Sequence, residues 1–169
     1  MNPLWLALSA PFLPIEIFLR GIEQGDADPS EPAGVTPLAV YEHQHILLAN
    51  TPAQTLGVHP GIKRATALAL APALRLLERD PAREDQALQQ LACWAGQFTP
   101  SVSLQPPQGL EGRSSGRPRH DVHPAGLLLE IAPSLTLFGG LDALLSRVDT
   151  GAAALGFSVR TACAPTPSG

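Results

Sequence analysis

The densest group of chemistry-bearing side chains is Arg113–His123, RSSGRPRHDVH, with Arg113, Arg117, Arg119, His120, Asp121 and His123 close together. Two imidazoles and a carboxylate could hold a metal, and the arginines could contact phosphate. A zinc site needs about four ligands in rigid geometry. The stretch offers His120, Asp121 and His123 on a background of Pro, Gly and Ser, so it reads as a flexible loop rather than a metal centre. Lys63-Arg64 is a second candidate phosphate contact, against the plainer reading of a solvated helix start. His43 and His45 flank Gln44 in a polar turn and read as solvated turn residues. Ser9 and Ser101 have no His/Asp constellation beside them in the sequence, so hydrolase chemistry has no support.

Charge narrows the field further. The 169 residues carry a net charge of −4 with a pI near 5.7. Phosphate neutralisation supplies most of the affinity of nucleic-acid binders, which are therefore usually basic. Strong autonomous DNA binding is not expected here. Cys93 and Cys163 sit in unrelated patterns and make no disulfide framework, which implies a reducing, cytoplasmic setting. The N-terminal apolar run lacks a preceding Lys or Arg and is interrupted by Pro11, Pro14 and Glu16. It reads as a buried strand and helix start, not as a signal peptide. No stretch approaches a membrane span.

The elements that must position these groups follow from local pattern. Leu4–Leu8 is a continuous apolar run, expected to be a strand covered on both faces. Pro14–Arg20 is a short helix ended by Gly21, and Glu23–Thr36 an acidic Pro/Gly loop. Pro37–Tyr41 and His45–Ala49 read as strands joined by a tight turn. Asn50-Thr51-Pro52 signals a capped helix, Gly57 its stop, His59-Pro60-Gly61 a turn, and Ala65–Ala71 a second helix. Asp80-Pro81 starts the clearest helix, with a stripe of Leu88, Leu91, Ala92, Ala95 and Phe98. Thr99–Leu104 and Leu127–Ile131 are strands on either side of the loop Gln105–Pro124. Leu141 to Leu155 forms the second strong stripe, Gly156 stops it, and Phe157–Ala162 is a last strand. The order gives an α+β fold, an antiparallel-rich sheet with helices packed on one face and a small inserted lobe.

The segment Ala49–Pro72, ANTPAQTLGVHPGIKRATALALAP, resembles the fingers of Y-family (translesion) DNA polymerases. With LWLALSAPFLP, FTPSVSLQPP and LLLEIAPSLTLFGGL, the chain is similar within them to the ImuB family, the polymerase-like, catalytically degenerate subunits of the bacterial SOS mutasome. The resemblance implies a Y-family palm at 1–24 and 77–169, a fingers-like insertion at 25–76, and a flexible loop at 105–124. It also implies the N-terminal palm and fingers part only, because the chain stops at Pro165–Gly169, where a thumb, a little finger and a tail would follow.

Two-metal polymerase chemistry needs palm carboxylates, since magnesium takes hard oxygen ligands. Where the family pattern has its first-strand aspartate, this chain has Ala7. Where it has an Asp-Glu pair, this chain has Ala125-Gly126, or Gln108-Gly109 if the loop is inserted on the other side. Where the fingers carry an aromatic and an arginine for the triphosphate, it has Thr51 and Gln54. A neutral amide is a weak substitute for a guanidinium fork. The resemblance therefore implies no metal, no cofactor and no polymerase activity, with weak or indirect DNA contact. It implies an adaptor linking an error-prone C-family DNA polymerase, a RecA-like accessory protein and the sliding clamp, away from any membrane. Two alternatives stand beside it. One is a low-activity nucleotidyltransferase recruiting Glu130, Asp121 or Asp142. The other is a plain interaction module whose partner sits on the Pro37–Pro72 lobe.

Overall fold

The structure, a computed structural model, describes residues 3–21, 36–105 and 124–166. The expected acidic loop up to residue 35, and the Arg/His stretch with His120, Asp121 and His123, lie outside the described residues. The chain groups into two compact units, Met1–Leu13 with Asp85–Gly169, and Pro14–Glu84. The insertion expected at 25–76 falls within the second range.

The first unit is built on four antiparallel strands in the order β5-β6-β1-β7, where β1 is Trp5–Ser9, β5 Val102–Gln105, β6 Gly126–Glu130 and β7 Arg160–Ala164. Its central strand departs from the expectation of two covered faces. Leu6 and Leu8 are fully buried, whereas Trp5, Ala7 and Ser9 are only half-buried. The apolar run was continuous, but alternation still sends successive side chains to opposite faces, and one of those faces stays partly open. Leu127, Leu129 and Ile131 join Leu6 and Leu8 among the buried residues. Helix α4 (Pro81–Ala95) buries Leu88, Leu91 and Ala95, and helix α6 (Leu141–Ala154) buries Leu144, Val148 and Ala152. Both stripes lie at the spacing read from the sequence. Trp94 of α4 lies against Gly151 of α6, so closely that a methyl group on Gly151 would meet the indole, Cε2 at 3.1 Å. Phe98 meets Trp94 edge-on at 5.2 Å. Trp94 is thus part of the packing between these two helices.

The last strand begins later than Phe157. After α6 the amides of Gly156 and Phe157 donate to the carbonyls of Ala153 and Ala152, with Gly156 at φ 80°. This left-handed helix stop turns Phe157 into the core, and the chain pairs with β1 only from Arg160.

The second unit holds a sheet in the order β3-β2-β4, with β2 Leu38–Glu42, β3 His45–Ala49 and β4 Arg75–Glu78. Strand β4 pairs parallel to β2 and had no sequence signal. It is four residues long, and its two leucines face opposite ways, Leu76 into one apolar cluster and Leu77 into another. Neither alternation nor a long run is visible in so short a segment. Helices cover both faces of this sheet. Ile15, Phe18 and Leu19 of α1 (Leu13–Gly21) cluster with Leu38, Val40 and Leu77. Ala53 of α2 (Thr51–Thr55) and Ala67 of α3 (Arg64–Leu70) cluster with Ala39, Ile46 and Leu76 on the other.

Asn50 ties the lobe together. Its Oδ1 accepts from the amides of Leu38 at 2.9 Å and Ala53 at 3.1 Å, and its Nδ2 donates to the Thr36 carbonyl at 2.9 Å. It is at once a helix cap and a bridge to the start of β2. Asn50→Ala is expected to lower stability by about 2 kcal/mol in urea unfolding. Asn50→Asp, which keeps the acceptor, should lose less.

Candidate functional site

Antiparallel partners share a face, so the register defines the half-open side of the four-stranded sheet residue by residue. Trp5 stands beside Glu130 and Ala164, Ala7 beside Leu128 and Ala162, and Ser9 beside Gly126 and Arg160, with Ser103 and Gln105 one strand further out beside Leu128 and Gly126. Among the described residues, the four strands contain one carboxylate, Glu130, and one cation, Arg160. Glu130 pairs with Trp5, one step diagonal to Ala7, about 7–8 Å away by strand geometry. A single carboxylate at that distance cannot hold two metals in place. Among the described residues, no three His, Cys, Asp or Glu side chains gather at one point.

The structure brings Ala7 and Gly126 to the same face, one ladder step apart, and sends Ala125 to the other. Ala125 is buried, and its carbonyl accepts from the Ala10 amide at 2.9 Å, continuing the β1–β6 pairing. Gly126 has no room for a side chain. A Cβ there would run into the carbonyl oxygen of Leu8, with the Leu8 carbonyl carbon at 3.2 Å and Ser9 Cα at 3.3 Å. The obstruction is backbone, not the end of a movable side chain. Glycine is demanded here by close strand approach, and any carboxylate at this position would force β1 and β6 apart.

On the second unit, Thr51 is exposed at the start of α2. Gln54 folds back, its Nε2 donating to the Ala49 carbonyl at 2.7 Å, so its amide is held by the end of β3. Arg64 stacks over Tyr41, its Cζ 5.0 Å from the ring centroid, and its amide donates to the Gln44 carbonyl. Cation–π stacking of this kind occupies the guanidinium face. Lys63 is exposed just before α3 and makes no side-chain cap. His43 sits in the hairpin turn at φ 56° and His45 bridges to Lys63, both exposed.

One polar constellation had no sequence signal. Arg79, at the end of β4, grips Glu84 with both arms of its fork, Nε–Oε1 and Nη2–Oε2 at 2.8 Å, and reaches Glu42 with Nη1 at 3.0 Å. The Arg79 and Glu84 side chains are 9% and 5% exposed. The hydrogen bonds to Glu84 hold the guanidinium charged beyond its ordinary range, with burial opposing and Glu42 adding to the effect. From sequence, Glu84 was legible only as an acidic residue near a helix start. A link to Glu42, far away in the chain, leaves no trace in local spacing.

A four-stranded antiparallel sheet joined to a small lobe of three strands and two short helices defines the class. The fold is that of the palm-and-fingers part of Y-family DNA polymerases. It resembles the Dbh DNA polymerase in a post-insertion binary complex, with a TM-score of 0.67 and 12% identity over 96% of this chain and 42% of that one. It also resembles DinB from Sulfolobus solfataricus, with a TM-score of 0.59, 13% identity, and the same shares of the two chains. Residues 33–107 match the impB/mucB/samB family. In sequence the chain is similar to Protein ImuB of two Caulobacter vibrioides strains, each 33% identical over 111 residues, 66% of this chain and 20% of the relative. The chain thus spans about a fifth of the length of these curated relatives. Among the described residues, no helix is long and apolar enough to cross a membrane.

Proposed function

We propose that this chain is a polymerase-like scaffold in DNA repair and translesion synthesis that has kept the Y-family fold and lost the nucleotidyl-transfer reaction. The observation that carries the reading is the β1–β6 contact. Ala7 offers a methyl group where the fold's first-strand carboxylate would stand, and Gly126 is closed to any side chain by the backbone of Leu8 and Ser9. Among the described residues the four strands carry one carboxylate, Glu130, where two-metal catalysis requires several.

The role that fits such a scaffold is an adaptor in SOS mutagenesis, in the cytoplasm, holding an error-prone C-family DNA polymerase, a RecA-like accessory protein and the sliding clamp. The similarity to Protein ImuB supports it. The acidic net charge supports weak or indirect contact with DNA. Mixing the purified chain with each of the three on a sizing column tests the adaptor role. Co-elution with at least one, unchanged in the Ala7→Asp variant, is the expected result. Separate elution from all three would remove it.

A further inference from the structure

We draw no further inference here: the strongest candidate, the end of the open sheet face where the register sets Ser9 beside Arg160 and Gly126, belongs to the site already described and offers a single exposed cation with nothing in the structure to show what it would hold.

Discussion

Gly126→Asp, the substitution that would put a carboxylate on the later palm strand, should disrupt the four-stranded sheet instead of creating a metal ligand. The added Cβ meets the Leu8 carbonyl, and the Leu8 and Ser9 backbone lies in the middle of the sheet with strands on both sides. Core overpacking against movable side chains costs roughly 1–3 kcal/mol. Here the obstacle is a hydrogen-bonded strand, so about 3 kcal/mol or more is expected. The new charge would add a desolvation penalty, since Gly126 is buried. Gly126→Ala separates the two effects, because it introduces the Cβ without the charge and should already lower the melting temperature by roughly 10 °C. Ala7→Asp provides the contrast. Ala7 is half-buried on the open face, and a carboxylate there can reach water, so it should melt within a few degrees of the unmodified chain. If Gly126→Ala were as stable as the parent, the steric account of Gly126 would be wrong.

Breaking the Arg79 clamp should have the other large effect. Arg79→Ala leaves Glu84, a buried carboxylate, without its fork, and removes the link to Glu42. Removing one partner of a buried ion pair costs about 3–5 kcal/mol, mostly through the charge left behind. Arg79→Lys should recover only part of this, because an ammonium cannot make two parallel bonds to one carboxylate. Arg79→Met combined with Glu84→Gln should be milder than Arg79→Ala alone, since it removes the buried charge along with its partner. Urea unfolding followed by circular dichroism measures all three. A double variant less stable than the single one would mean that the pair itself, not the uncompensated charge, carries the stability.

The order of elements was legible because most carry strong local signatures. The Asn50-Thr51-Pro52 start of α2, the Asp80-Pro81 start of α4 and the glycine stop after α6 all form where their chemistry puts them. What stayed hidden was long-range. Strand β4 is only four residues, and it is defined by its parallel pairing to β2 rather than by its own composition. The open side of β1 depends on its neighbours, because a continuous apolar run does not say which face is covered. The residues that the resemblance sets against the family's catalytic positions were readable as identities. Their geometry was not, since Ala125 and Gly126 read as equivalent until the register placed them on opposite faces. The Arg79 clamp was invisible because its partners come from both sides of it in the chain, one near and one distant.

The claim at the centre is that this Y-family fold performs no nucleotidyl transfer. Primer extension with a labelled primer-template, in Mg²⁺ and in Mn²⁺, tests it most directly, with the unmodified chain beside Ala7→Asp. The expected result is no extended primer with either protein in either metal, because among the described residues of that face an aspartate at Ala7 would have only Glu130 as a second carboxylate, and Gly126 stays closed. Incorporation of nucleotides by the unmodified chain would contradict the account and place metal ligands where it finds none.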